Sequence, residues 1–339
     1  MKFSRGTIVV TGGAGFIGSA TVWALNARGF DDILVVDRLD NTEKWQNLVP
    51  LRFRDFVDAD EFQRRICEHR GSFDTVSHVI HLGACSSTTE TDAGYLFRNN
   101  YEYTKQLAHW AVERGVRFVY ASSAATYGAL ENVLSEELPL ESLRPLNAYA
   151  YSKQLFDLYA RRNCLLDRIT GIKYFNIFGP NEHHKADMRS LVDKAYYQIR
   201  ETGSVRLFRS HRPDYRDGEQ QRDFLYVKDA VEMTLHLTQC DAFGLFNVGS
   251  GQAHTWLDLV RPIFRAMGAP ERIEFIDMPA ALRDKYQYHT RAALDRLTGT
   301  GYDRPITPLA DAVDDYVTNY LIPDRRLDAA QADVTLVSK

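Results

Sequence analysis

The chain has 339 residues, 45% hydrophobic and 25% charged, the balance of an ordinary globular protein with material for one large domain or two moderate ones. A formal net charge of −4 offers no basic field to nucleic acid or an anionic membrane surface, so any bound anion must be held locally. Cys67, Cys85, Cys164 and Cys240 include no CxxC pair, and neither a signal-peptide apolar region nor a membrane-length apolar run is present; the expectation is a cytoplasmic protein with reduced thiols, no structural metal, no membrane and no nucleic-acid partner.

Thr7 to Val10 is a β-branched run, followed by TGGAGFIGS and the amphipathic ATVWALNARG. That order predicts a strand, a glycine turn and a helix. Gly12, Gly15 and Gly18 are spaced so that backbone can approach a pyrophosphate, whose charge then meets the positive end of the helix. A second apolar strand, Ile33 to Val36, ends in Asp37 about 20 residues on, where a dinucleotide site places a group for the adenosine ribose. Arg38 could meet a 2′-phosphate, whereas Asp37 alone would repel one; a plain surface arginine reads nearly as well.

Further β-like runs occur at Val76 to His81, Val116 to Ala121 and Gly171 to Phe175, with TKQLAHWAVERG and KQLFDLYARRN helical between them. Alternating strands and helices predict an α/β fold with a Rossmann-type doubly wound parallel sheet. Ligands in such sheets bind beyond the carboxyl ends of the strands, which places interest on HLGACSS, ASSAATYG and FNIFGP. In YAYSK, Tyr149 and Lys153 are four apart and share a helix face, while Tyr151 points elsewhere. A neighbouring ammonium lowers a phenol's pKa, so Tyr149 is the expected proton acceptor, Lys153 its activator, and Ser123 a hydrogen-bond partner for the substrate oxygen. In FGPNEHHKAD, adjacent His183 and His184 are poorly spaced for one metal, and Asn181, Glu182 and His183 read as a solvated loop. Cys85 reads as a packed thiol. The polar segment Arg209 to Gln220 is a loop expected over the substrate mouth.

After Thr255 to Met267, an amphipathic helix pattern, come the strand-like IEFID and a polar stretch with Tyr286. PLADAVDDYVTNYL is the last helix-like run, and 323–339 has no period and reads as a flexible tail. The division expected is 1–175 for the nucleotide domain, with returns near 223–250, and 176–322 mainly for a smaller, discontinuous substrate domain.

TGGAGFIG, Ser123, Tyr149 with Lys153, NNYEYT, QRDFLYVKDA and FNVGSGQAHTW resemble the extended short-chain dehydrogenase/reductase family, most of whose members act on nucleotide sugars. Dehydratases of that family carry an Asp-Glu pair where this chain has Ala124-Ala125, so the resemblance implies an epimerase. HLGACSSTTETD, LNAYAYSKQLFD and KYFNIFGPNEHHKADM are similar to the branch whose members epimerise an ADP-heptose sugar nucleotide, a lipopolysaccharide core precursor. By resemblance, the cofactor is NADP, with NAD possible, and the assembly a homo-oligomer. Lys185 would be the second acid/base group, opposite Tyr149. Gly12, Gly15, Phe16, Ile17, Gly18, Asp37, Arg38, Lys44, Asn99, Lys153, Ile177 and Lys185 would contact the cofactor, with backbone of Leu82, Gly83, Ala84, Cys85 and Ser86. Ser123, Asn176, Asp187, Lys194, Phe208, Arg209, Ser210, His211, Arg222 and Tyr286 would face the sugar nucleotide. Leu82, Asp187 and Lys194 depart from the pattern of that branch, which opens the exact sugar to question. The rival readings are another nucleotide-sugar epimerase or reductase and, outside enzymes, a dinucleotide sensor.

Overall fold

A computed structural model describes residues 6–68, 73–283 and 286–330, without the side chains of 281 and 282. The apolar runs of the first half form β1 (Thr7–Thr11), β2 (Ile33–Asp37), β4 (Val76–His81) and β5 (Arg117–Ser123). Between β2 and β4 lies β3 (Asp55–Asp58), an edge strand whose DFVD sequence has too little apolar character to be recognised alone. Helices α1 (Phe16–Asn26), α2 (Ala59–Cys67), α3 (Ala93–Leu96), α4 (Tyr103–Glu113) and α5 (Ala148–Arg162) alternate with them. After β6 (Asn132–Leu134) and α5 come β7 (Thr170–Tyr174) and β8 (Asn176–Phe178).

Seven strands make the main sheet, in the order Gly244–Val248, β7, β5, β4, β1, β2, β3, with every pairing parallel. Every residue of β1, β2 and β7 is buried, because helices cover both faces of a parallel sheet. One core layer joins α1 to helices Leu191–Thr202 and Trp256–Ala266; the other joins α4 and α5 to the opposite face. Each fully buried Val, Leu or Ile stabilises by roughly 1.5–3 kcal/mol before ordering costs. The strand order reverses between β1 and β4, and the carboxyl ends at that switch point form the crevice where ligands of such sheets bind.

The remaining strands are short pairs beyond this crevice: Val205–Phe208 with Ile273–Ile276, β8 with Phe224–Tyr226, Gln221–Arg222 with His254–Thr255, and β6 with Thr290–Ala292. Helix Trp256–Ala266 starts at a capping box between Thr255 and Asp258. The segment Arg209 to Gln220 is irregular, as its turn-rich sequence predicts.

The expectation of a flexible tail from Pro323 is corrected as far as Ala330. Leu327 and Ala329 are buried in the core layer beneath α1. The Leu327 amide donates to Asn181 Oδ1 at 3.0 Å, the Ala329 amide to the Pro50 carbonyl at 3.1 Å, and Trp23 Nε1 to the Asp328 carbonyl at 3.2 Å. Two apolar contacts and three hydrogen bonds need no sequence period, which is why the segment looked loose. Residues 331–339 of that tail lie outside the described residues. Among the described residues no helix is long and apolar enough to cross a membrane.

Candidate active site

The glycine turn between β1 and α1 is built for close approach. Gly12 has φ +67°, and a Cβ there would lie 2.7 Å from the Gly83 amide; one on Gly18 would lie 1.9 Å from the Gly12 carbonyl oxygen. Gly15 caps α1 without a side chain, which leaves the first amides of the helix for an anion. Asn47 holds this turn to the far side of the site, donating from Nδ2 to the carbonyls of Ala14 and Asn181 at 3.0 and 3.1 Å.

Asp37 ends β2 as expected, but its carboxylate also clamps the turn. Oδ2 accepts the Ala14 amide at 2.9 Å; Oδ1 accepts the Arg38 amide at 2.8 Å and Lys44 Nζ at 2.9 Å. Arg38 is not a loose surface group: its guanidinium donates to Asn99 Oδ1 and, through Nε at 3.0 Å, to Asp60. Gly12, Asp37, Arg38, Lys44, Gly83, Ala84 and Asn99 line one cavity of about 90 Å³. Tyr103 lines it too, with a buried hydroxyl that has no hydrogen-bond partner among the described residues. Backbone, two cations and polar side chains thus fit the adenosine end of a dinucleotide.

Leu82 to Ser86 follow β4 past this cavity. The Gly83 amide donates to Thr11 Oγ1 at 3.1 Å, and Asn100 brackets Cys85, accepting its amide at 2.9 Å and donating to its carbonyl at 3.0 Å. Asn99 and Asn100 sit in a π-helical turn, Phe97–Glu102, a distortion frequent at functional sites. Burial pushes the Cys85 thiol up, in keeping with a packed group.

Tyr149 stands in the first turn of α5, whose start is fixed by Asn147 accepting the Ala150 amide at 2.8 Å. Its phenol lies beside the Ser123 hydroxyl at the end of β5. Burial pushes the phenol up, and the nearby Ser123 hydroxyl works the other way. Lys153 does not reach the phenol as expected: its Nζ donates to the Ala121 carbonyl at 2.8 Å. Burial lowers Lys153 to about 8, against the opposing charge of Asp157. Tyr151 is 55% exposed and faces away.

The reading of FGPNEHHKAD as a solvated loop is corrected for its first half. Asn181 and Glu182 are fully buried. Asn181, at φ +77°, donates from Nδ2 to Ser19 Oγ at 2.9 Å; Glu182 accepts the Ser190 amide at 2.5 Å and its hydroxyl at 2.7 Å. Their polar side chains replace the missing apolar ones by tying the loop to α1 and to helix Leu191–Thr202. His183 is partly buried rather than solvated, and burial lowers its pKa. Lys185 lies 5.1 Å over the ring of Phe16, the residue that precedes Ile17 at the start of α1. Burial lowers its ammonium; Glu182 opposes this and Lys194 adds to it.

On the other side, Ser123, Asn176, Arg222, Gln287 and Thr290 line a cavity of about 200 Å³. Arg222 is 8% exposed and stacks over Tyr286 at 4.9 Å, whose hydroxyl accepts Trp256 Nε1 at 2.7 Å. It makes no surface salt bridge with Asp223, which instead accepts the amides of Ser250, Gly251 and Ala292 at 2.6 to 2.9 Å. Ile177 is partly buried between the core layers, and Phe208 is partly buried at the end of its strand. Ser210 and His211 are pinned by Asp217 and by the Tyr288 hydroxyl, at 2.8 and 2.9 Å. Phe208, Ser210, His211, Tyr286, Arg209, Asp187 and Lys194 are not in the lining of that cavity: Arg209 is exposed, and Lys194 Nζ donates to the Asp187 carbonyl at 2.6 Å. A larger open hollow of about 650 Å³, around Arg216, Arg261 and Phe275, shares no residue with the site. Among the described residues no cluster of three or more His, Cys, Asp or Glu could hold a metal.

Asn100, Tyr103, Trp256 and Gln287 escaped the sequence reading. Only the NNYEY run gave a local signal for the first two; the others depend on long-range packing.

A glycine cradle at a sheet switch point, with a Ser-Tyr pair and a buried lysine beside a polar cavity, defines a Rossmann-type enzyme dependent on a nicotinamide dinucleotide. The sequence model of the NAD dependent epimerase/dehydratase family matches residues 8–249, and the chain belongs to that family, within the extended short-chain dehydrogenases/reductases. The ADP-L-glycero-D-manno-heptose-6-epimerase of Nitratidesulfovibrio vulgaris (strain DP4) is 52% identical over 315 residues, 92% of this chain and 97% of that protein. The solved Helicobacter pylori ADP-L-glycero-D-manno-heptose-6-epimerase shares the fold, with TM-score 0.78 and 24% identity over 94% of this chain and 99% of that one. The UDP-glucose 4-epimerase of Thermus thermophilus, solved in complex with NAD, aligns with TM-score 0.73 and 27% identity, covering 92% of this chain and 97% of that one.

Proposed function

We propose that this enzyme converts ADP-D-glycero-D-manno-heptose into ADP-L-glycero-D-manno-heptose, oxidising C6 to an aldehyde and reducing it again from the opposite face. The observation that carries this reading is the placement of Tyr149 beside Ser123, at the wall of the cavity that also holds Asn176 and Arg222, in a chain 52% identical to an enzyme of that name.

Gly12, Gly18, Asp37, Arg38, Lys44 and Asn99 would hold a nicotinamide cofactor, whose chemistry when bound would be to take up and return the hydride at the sugar carbon. Ser123 Oγ hydrogen-bonds the reacting oxygen, and Tyr149 Oη takes or gives the hydroxyl proton on one face. Lys185 Nζ serves the other face, and its burial favours the neutral amine that can take a proton. Lys153 supplies positive charge behind Tyr149. Arg222, buried and stacked, offers a fork for pyrophosphate oxygens. Phe208, Ser210, His211 and Tyr286 complete the nucleotide-sugar side within 176–322.

NADP is the preferred cofactor in this reading. Lys44 pairs with Asp37 and Arg38 adds a second cation beside it, alongside Asp40 and Asp60, so a 2′-phosphate would meet two cationic donors rather than Asp37 alone. Phe97 and Tyr151, 42% and 55% exposed, support a homo-oligomer built on the α4–α5 side. The test is to supply the purified protein with ADP-D-glycero-D-manno-heptose and analyse the product. The L-glycero isomer is expected; turnover of a different sugar nucleotide with no isomerised heptose sinks the substrate assignment. Denaturing the protein and identifying the released dinucleotide checks NADP separately.

A further inference from the structure

Three residues spaced one turn apart on α5 meet the last four residues of β5. Tyr149 lies beside Ser123, and Lys153 Nζ donates to the Ala121 carbonyl at 2.8 Å. Asp157, the third, accepts Tyr120 Oη at 2.8 Å and Ser122 Oγ at 2.7 Å. A second strand joins beneath them: Lys173 Nζ, on β7, donates to Asp157 Oδ2 and to Thr126 Oγ1, each at 2.7 Å. Thr126 Oγ1 in turn donates to the Ser123 carbonyl at 2.7 Å. The side chains of both Asp157 and Lys173 are 0% exposed.

A buried ion pair is a poor source of stability, since apolar residues of similar volume often serve as well or better. Here the pair is saturated with hydrogen bonds, and each bond ends on the segment carrying Ser123 or on the helix carrying Tyr149 and Lys153. We propose that Asp157 and Lys173 are a positioning pair for the reaction: they fix the register of α5 on β5, and the Asp157 carboxylate supplies the negative charge that faces the Lys153 ammonium. The inference rests on the roles of Tyr149 and Lys153 given under the proposed function.

The groups facing Lys153 are Asp157 from its own helix, the Ala121 carbonyl from β5, His81 from β4 and Cys85 from the loop after it. Burial drives His81 down to about 3 and raises the Cys85 thiol, so both are neutral near pH 7. Asp157 is the charged partner left, itself faced by Lys173. Removing its charge lets Lys153 lose its proton at lower pH, so the alkaline limb of the kcat profile moves down.

The test compares wild type, Tyr149→Phe and the double variant Asp157→Asn/Lys173→Met, which strands no buried charge. The expected result for the double variant is an alkaline limb displaced downward by on the order of one pH unit, with kcat reduced about tenfold and KM nearly unchanged. A folded double variant with the wild-type limb overturns the proposal. Should it not accumulate as folded protein, Asp157→Glu replaces it: the charge stays but sits one methylene further out, so kcat falls while the limb holds, and a wild-type kcat overturns the proposal. Turnover retained by Tyr149→Phe would instead refute the underlying assignment, which keeps the two failures apart.

Discussion

At the scale of single residues, the site is a set of charges held where water does not compensate them. Tyr149 and Lys185 are both shifted by burial, the phenol upward and the ammonium downward, so burial disfavours the charged form of each. Tyr149→Phe and Lys185→Met are each expected to lower kcat by about 10²–10⁴-fold while the dinucleotide released on denaturation stays stoichiometric; near-normal turnover in the Lys185 variant refutes the two-base scheme. Arg38→Ala removes one of two cations beside Asp37 and is expected to shift the ratio of NADP to NAD affinity towards NAD by about tenfold or more, read by titrating cofactor-stripped protein. Gly12 and Tyr149 were legible because their geometry is local, a turn and the start of a helix, whereas the Lys153 partner, the Ala121 carbonyl, was not. The second role of Asp37, clamping the Ala14 amide, was not, because it needs the packing of β2 against the turn. Asn181 and Glu182 misled for a related reason, since polar side chains look solvated until their partners are known.

At the scale of elements, the alternation of strands and helices revealed the parallel sheet, and the departures come where apolar periodicity is weak. The edge strand β3 carries only one buried residue, Val57, so neighbouring backbone rather than its own sequence defines it. The packed part of the tail behaves likewise. Leu327 is wholly buried against the layer that includes α1, and its amide holds the side chain of Asn181 in the loop leading to Lys185. Leu327→Ala is therefore expected to cost about 2–5 kcal/mol, read as a lowered midpoint in urea. The same variant should raise protease sensitivity around 181–190, because losing the buried side chain loosens the backbone whose amide anchors Asn181. A chain cut after Pro323 that melts like the full protein would show that this segment contributes nothing.

At the scale of the whole molecule, one buried acidic cluster couples three distant segments: the Lys185 loop through Glu182, helix Leu191–Thr202 through Asp193, and helix Leu309–Tyr316 through Tyr316. Asp193 accepts Arg189 Nη1 at 2.8 Å and Tyr316 Oη at 3.4 Å, yet burial, with Glu182 adding to it, raises its carboxyl from 3.8 to about 6. A folded-state value above the unfolded one means that the folded protein keeps a proton the unfolded chain has released. Stability from this group is therefore complete below about pH 4 and is lost as pH rises through about 6. The size of that loss is on the order of 3 kcal/mol, from a shift of about two pH units. Asp193→Asn cannot release the proton, so its stability should fall less than that of wild type between pH 4 and pH 6.5. Urea unfolding of both proteins across that range measures the difference directly, and parallel curves would mean that Asp193 is ionised in the fold throughout, with Arg189 outweighing its burial.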